Sequence, residues 1–333
     1  MADSDDLGPS FRIYVIFMIV LTVASLALRF LSRSLLPSSR QTPRYRWDDW
    51  IALGAGVLIS AQLAIELAMI PFGFGRHIWT LQPGDLPKFL KLLFASYIVF
   101  HFAIALPKVS ALLFYSRVFP RHVNSTLFNS ALWITHAANV AWVLGCTIGT
   151  ILACEPLAEG RNESLYGVCE PDTPYWTGSA VSSVIVDFAV LVIPLPKIWT
   201  LQTSMGRKTG LTVIFVLGYS VIVVSLGRTI TGIISKDALG SDPTYLTIRV
   251  FYWASAEVPI SILSICLPAM LPLARHINRK YLEPLTTRIA SYTSRFRQDW
   301  TGDTTYRLES ITTDYEPTDS AVTHDSRDEL INR

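Results

Sequence analysis

The chain has 333 residues, of which 50% are hydrophobic and only 16% charged, against roughly 25% charged in soluble domains. Nine of its 28 Lys/Arg and ten of its 26 Asp/Glu fall in the last 60 residues, so the first 273 carry too little polar material to coat a water-soluble globule and need lipid as solvent. This excludes a soluble enzyme, a nucleic-acid binder with a basic face and, with four cysteines in all, a disulfide-rich secreted scaffold.

A bilayer core about 30 Å thick is crossed by roughly 20 apolar residues of helix. Phe11–Leu31 is the first such stretch. It follows Asp3, Asp5 and Asp6, acids where a cleaved signal carries bases, and its apolar run is too long for one. It is therefore expected to remain as span one behind a short extracellular segment, residues 1–10. The other spans run Asp49–Ile70, Phe89–Tyr115, Leu127–Leu152, Tyr175–Leu195, Leu211–Ile234 and Leu246–Leu273. Backbone polar groups must be satisfied within each segment, so each is a helix, with kinks expected at Pro107, Pro194, Pro259 and Pro268. The fold class is all-α integral membrane, a seven-transmembrane helix bundle over 11–273.

Loop charge sets orientation. One set of loops holds fifteen Lys/Arg, among them Arg33, Arg40, Arg44, Arg46, Arg117, Lys197 and Lys280, and the opposite set holds six: Arg12, Arg76, Lys88, Lys91, Arg161 and Lys236. The positive-inside rule puts the N-terminus outside and the C-terminus in the cytoplasm. Cys154 and Cys169 then flank an outer loop, where a disulfide is the favoured reading over two free thiols. Asn162-Glu163-Ser164 between them is a usable glycosylation sequon, whereas Asn124-Ser125-Thr126 falls on the cytoplasmic side and should stay unmodified. Cys146 and Cys266 lie inside spans as packing residues. After the last span, Ile277, Tyr281, Leu285, Ile289, Tyr292 and Phe296 recur at helical steps among basic residues, so 274–298 is expected to lie on the inner leaflet. Residues 299–333, acidic and aperiodic, read as a disordered cytoplasmic tail.

Six ionisable residues stand out within the spans: Glu66, Lys108, Asp187, Arg228, Arg249 and Glu257. Each is costly at mid-bilayer unless paired or wetted, so each should face the bundle interior. Three acids against three bases favours ion pairs that fix helix packing, with a ligand site as the other reading. Depth counting places Glu66, Arg228 and Arg249 in the outer third, Asp187 and Glu257 near the middle and Lys108 in the inner third. This predicts an outward-opening polar cavity lined by Glu66, Asp187, Arg228, Arg249 and Glu257, with Tyr97, His101 and Trp253 as walls. Lys108 should face Asp48, Asp49 or Asp187. No lysine lies in the seventh span to hold retinal, His101 and His136 are too few and too scattered for a catalytic zinc, and neither a phosphate loop nor a nucleophile elbow occurs. No metal and no cofactor are therefore expected. If the protein is catalytic, Glu66, Asp187 and Glu257 are the candidate acids, acting on an alkene or epoxide in a greasy pocket.

The chain resembles the fungal rhodopsin-like seven-helix membrane proteins, which include receptor-like pathogenicity proteins and membrane proteins of secondary-metabolite clusters. The resemblance rests on Trp47-Asp48-Asp49-Trp50, Gly73-Phe74-Gly75-Arg76-His77-Ile78-Trp79, Lys108-x-Ser110 running to Phe114-Tyr115-x-Arg117-x-Phe119, and Cys154-x-Pro156 with Cys169. It continues through Asp187, Pro194-x-Pro196-x-x-Trp199-x-Leu201, Lys208, Leu217-Gly218 with Arg228, Asp242-Pro243-Thr244, Trp253-x-x-x-Glu257 and Cys266-Leu267-Pro268. It implies a seven-helix bundle with an outer-loop disulfide, and a shared framework of Asp49, Lys108, Asp187, Arg228 and Glu257. The sequence departs from the family pattern in lacking a tryptophan between the loop cysteines. The ends of spans three and seven do not match animal receptor G-protein motifs, so coupling to a G protein is an analogy from helix count.

The favoured function is a receptor-like sensor in the plasma membrane. It would bind a small or apolar external cue without retinal and signal to a cytoplasmic partner, with membrane lipid and the cue as its other partners and no nucleic acid. The alternative is an accessory or cyclase-type protein of a secondary-metabolite pathway, for which an endomembrane would serve. A transporter ranks below both, because the two halves show no matching broken helices.

Overall fold

The computed structural model describes residues 6–35, 45–118, 125–154, 173–199, 205–239, 242–277 and 280. The chain divides into two units, Met1–Leu273 and Ala274–Arg333. Cys169, both sequon asparagines and residues 281–333, on which the surface segment and tail were read, lie outside the described residues.

Among the described residues all regular structure is helical: α1 Gly8–Leu35, α2 Trp47–Met69, α3 Asp85–Val118, α4 Thr126–Ala153, α5 Thr173–Val192, a short α6 Leu195–Trp199, α7 Met205–Leu239 and α8 Pro243–Ile277. Seven segments are long and apolar enough to cross a membrane, one in each of the long helices, with the fifth running from α5 into α6. The helices overrun the apolar windows into polar residues at their ends. Thus α3 begins at Asp85 and ends past Arg117. Pro107, Pro259 and Pro268 sit within continuous helices, and only Pro194 falls at a break, between α5 and α6.

Helix α2 packs on α1 and α3, α3 on α4, α4 on α5, and α5 on α7. Lipid tails are as apolar as leucine, so association depends on close fit and on polar contacts rather than on hydrophobic gain. Gly56 supplies the fit between α1 and α2, since a Cβ there would lie 2.1 Å from Leu26 Cδ1. Hydroxyls inside the spans bond back to their own helices, as in Thr22 Oγ1 to Met18 O at 2.8 Å and Ser261 Oγ to Glu257 O at 2.7 Å, which leaves them with no lone donor in hydrocarbon. Large side chains such as Trp133, Ile134, Leu144 and Ile148 of α4 are exposed and form a lipid-facing surface.

The loop after α2 closes one end of the bundle, here the Gly73 end; the opposite end carries Asp48. Two 3-10 turns, Ile70–Phe72 and Ile78–Thr80, bracket Gly73 and Gly75, whose φ values are 95° and 93°. Only glycine enters that region without strain. The reversal drives Phe74 inward to zero exposure, with ring centroids 5.2 Å from Phe11, 5.3 Å from Phe251 and 5.8 Å from Phe89.

Candidate functional site

Two ion pairs join four helices in the bundle interior. Lys108 of α3 places Nζ 3.0 Å from Asp187 Oδ1 of α5, with side chains 6% and 5% exposed. The same ammonium donates to Ser183 Oγ at 3.0 Å and Ser183 O at 3.3 Å and lies over the Trp142 ring, so its three donors are used. Arg228 of α7 grips Glu257 of α8 with Nε 2.5 Å from Oε2 and Nη2 3.4 Å from Oε1, the two-pronged geometry that makes such pairs strong. The guanidinium also stacks over Phe100. Both Arg228 and Glu257 are within electrostatic reach of Asp187.

Glu66 is separate. It has no exposure, accepts from Gln62 Nε2 at 3.1 Å and Ser255 Oγ at 2.6 Å, and meets no base among the described residues. Arg249, read as facing the interior, is exposed instead and lies over the Tyr245 ring. It therefore lines no shared cavity with Glu257, because a residue eight positions away on a helix is turned by about 80°. Trp253 is also partly outside, at 37% exposure, whereas Tyr97 packs on Trp176 and Phe251. At the Gly73 end, the Phe74 plug covers the side of the bundle made by α1, α3 and α8. Lys108 takes Asp187 of its three candidate partners.

Several buried polar atoms of the bundle have no hydrogen-bond partner among the described residues: Asp187 Oδ2, His101 Nδ1, Asn139 Oδ1, Ser225 Oγ, Thr147 Oγ1 and Trp176 Nε1, with Gln62 Oε1 beside Glu66. The amides are oriented by their other ends. Asn139 Nδ2 donates to Ala105 O at 3.2 Å and Gln62 Nε2 to Ser96 Oγ at 2.6 Å, so the free atoms are carbonyl oxygens. An unsatisfied polar atom in lipid costs several kcal/mol. Two of the unfilled atoms beside the ion pairs, Asp187 Oδ2 and Asn139 Oδ1, are pure acceptors. Among the described residues no three His, Cys, Asp or Glu gather where a metal ion could sit.

The Asp48 end holds a larger charged cluster. Arg29 of α1, 1% exposed, reaches Asp49 at 2.8 Å and Asp48 at 3.1 Å and donates to Ile265 O of α8 at 2.6 Å. Arg33 lies 3.4 Å from Asp49, Arg117 of α3 lies 3.2 Å from Asp48, and Ser110 Oγ donates to Asp48 O at 3.0 Å. Asp49 thus belongs to the framework with Arg29, which the reading of the spans passed over. The signal was present: Phe11, Val15, Met18, Thr22, Ser25, Arg29 and Ser32 are the buried face of α1, spaced alternately by four and three residues.

A second unforeseen cluster clasps the Gly73 end. His77 Nδ1 lies 2.5 Å from Asp242 Oδ2, and its ring is stacked between Trp79 and Tyr245 at 4.4 and 4.1 Å. Asp242 Oδ1 accepts from Ile78 N, and Thr244 Oγ1 donates to Arg76 O. These contacts join the glycine loop to the start of α8 through two of the motifs noted in the sequence.

Comparison with known proteins places this architecture. The family model for the fungal rhodopsin domain matches residues 28–276. The polyenoic acids biosynthesis gene cluster protein Ba17b of Metarhizium anisopliae is 23% identical over 285 residues, covering 81% of this chain and 75% of its own length. A SAT4 family membrane protein of Emericella nidulans is 31% identical over 212 residues, 62% of this chain and 52% of its own. Receptor GIN3 of Arthrobotrys oligospora is 26% identical over 280 residues, 82% of this chain and 64% of its own. No solved structure matches. The seven membrane-length helices and the match across 28–276 give one conclusion: the chain belongs to the fungal rhodopsin domain family.

Proposed function

We propose that the protein is a receptor-like membrane sensor that binds a small or apolar cue in the bundle interior, beside the Lys108–Asp187 and Arg228–Glu257 pairs. The observation that carries this is the pair of unpartnered acceptors, Asp187 Oδ2 and Asn139 Oδ1, beside two mutually neutralised ion pairs. A site whose charges are already balanced favours a neutral molecule with a few donors over an ion. Asp187, Glu257 and Arg228 are the proposed contact residues, with Glu66 as a separate buried polar station and Asp49 and Lys108 as framework. The similarity to a protein named as a receptor supports the same reading.

A pathway role is the second reading, favoured by the relative named as a biosynthesis cluster protein. In it, Glu66, Asp187 and Glu257 would supply acid chemistry on a terpenoid-like substrate, and the membrane would be internal rather than the plasma membrane. Under either reading the N-terminus is outside, Cys154 pairs with Cys169, and Asn162 is glycosylated. In support of the disulfide, Cys154 is buried while Cys146 and Cys266 are free thiols.

The deciding experiment runs two readouts on one set of strains. A deletion strain is complemented with wild type, Arg228→Met or Glu257→Gln, and transcription is followed after adding an organic extract of culture medium. Microsomes from the same strains are given a labelled prenyl diphosphate. A sensor gives a transcriptional response in wild type that both variants lose at normal membrane abundance, with no turnover. Turnover by wild-type microsomes that Glu257→Gln stops would instead establish the pathway reading. Variants that respond like wild type would remove the interior site from either account.

A further inference from the structure

At the Asp48 end, Tyr45, Arg46, Trp47 and Trp50 line an open cleft of about 520 Å³, a volume within the range of small-molecule sites. Its walls are held from two helices. The Tyr45 ring lies 5.7 Å from Phe30 of α1 and 6.4 Å from Trp50 of α2. Trp47 and Trp50 are 80% and 55% exposed, while the two acids between them in sequence are buried and already matched by Arg29, Arg33 and Arg117. The Arg46 guanidinium is exposed and has no hydrogen bond or ion pair with any described residue. The sequence from Arg33 to Arg46 adds Arg40 and Arg44 and contains no acid.

We infer that this cleft binds the phosphate headgroup of an anionic phospholipid in the leaflet that the Asp48 end faces. The chemistry of each wall residue fits that occupant. Arg46 supplies a planar donor fork for phosphate oxygens. Trp47, Trp50 and Tyr45 are amphipathic rings of the kind that settle at headgroup depth, where they contact the glycerol and the first acyl carbons. The cleft opens at the start of a membrane-spanning helix, so a lipid reaches it by lateral diffusion without leaving the bilayer. Three guanidiniums over two carboxylates in the adjoining cluster leave a positive remainder behind the site. A zwitterionic lipid would satisfy the rings but not this surplus.

The test uses the purified full-length protein in nanodiscs of phosphatidylcholine, alone or mixed with phosphatidylserine, with retained lipids counted by native mass spectrometry after mild extraction. Wild type should retain phosphatidylserine in preference to phosphatidylcholine. Arg46→Gln should reduce that preference by about fivefold, the effect of one arginine near an anionic surface. Arg46→Lys should keep most of it, and Arg12→Gln, an exposed base outside the cleft, should leave it unchanged. Excess inorganic phosphate should leave the bound phosphatidylserine in place. Equal retention of the two lipids by wild type, or an unaltered preference in Arg46→Gln, would overturn the inference. Displacement by inorganic phosphate would overturn the lipid assignment by making the site one for free anions.

Discussion

Glu257 has no exposed surface, and Arg228 is its only ion-pair partner among the described residues, so the fate of a single side chain here is decided by what its removal strands. Deleting one member of a buried pair leaves the other as an uncompensated charge and costs about 3–5 kcal/mol, whereas replacing both by apolar residues of similar size is often neutral. Lys108 and Asp187 provide the cleanest case because each is almost wholly buried. Lys108→Met and Asp187→Leu should each lower the unfolding temperature of the detergent-solubilised protein sharply, and the double variant should recover most of the loss. Equal and additive losses would mean that the two side chains are not coupled. Arg29 poses a different problem, since it touches Asp48, Asp49 and the Ile265 carbonyl at once. Arg29→Met leaves Arg33 and Arg117 to balance both carboxylates from more exposed positions. It should reduce the yield of folded protein on fluorescence-detected gel filtration more than Arg33→Met does.

At the scale of elements, the glycine loop and the start of α8 form one clasp over the Phe74 plug. A Cβ on Gly75 would lie 2.9 Å from the backbone nitrogen of Gly8 and 2.9 Å from Ile248 Cδ1, at φ +93°. The Gly8 backbone cannot yield as a side-chain tip can, and the left-handed conformation itself costs an L-residue roughly 1–2 kcal/mol. Gly75→Ala should therefore unseat Phe74 and raise hydrogen exchange at Gly75 N, which normally donates to Thr244 O, while amides in mid-α4 exchange as before. His77→Ala should loosen the same amide less, because Asp242 still accepts from Ile78 N. How much of this was readable in the sequence follows from what lipid demands. Span existence was legible, since length and hydropathy are the bilayer's own criteria: the third stretch, Phe89–Tyr115, lies inside α3. Depth can be counted at 1.5 Å per residue along a helix. Azimuth was not legible. Depth counting put Arg249 beside Glu66 and Arg228, yet the side chain is on the exposed flank of α8, and it could not choose Asp187 over Asp48 for Lys108. Arg29 was within reach of a periodicity argument, while the His77–Asp242 clasp joins residues 165 positions apart and leaves no local trace.

For the molecule as a whole, the unequal chemistry of its two ends predicts how it sits in the membrane. The Asp48 end carries Arg29, Arg33, Arg46 and Arg117 against Asp48 and Asp49, and the Gly73 end carries Arg76 and Lys88 against Asp6, Asp85 and Asp242. Positive residues are retained in the cytoplasm during insertion, so the Asp48 end should face inward. The two sequons fall on opposite sides of α4 in the sequence: Asn124 precedes the helix and Asn162 follows it. Only a lumenal or extracellular asparagine meets the glycosylation machinery, which makes the pair an internal compass. Expressed in a eukaryotic host, the protein should show one endoglycosidase-sensitive step in gel mobility, abolished by Asn162→Gln and untouched by Asn124→Gln. The reverse pattern would place the Asp48 end outside. It would also move the lipid cleft at Arg46 to the outer leaflet, which is poor in anionic lipid, and so remove the occupant that the surplus of arginine there calls for.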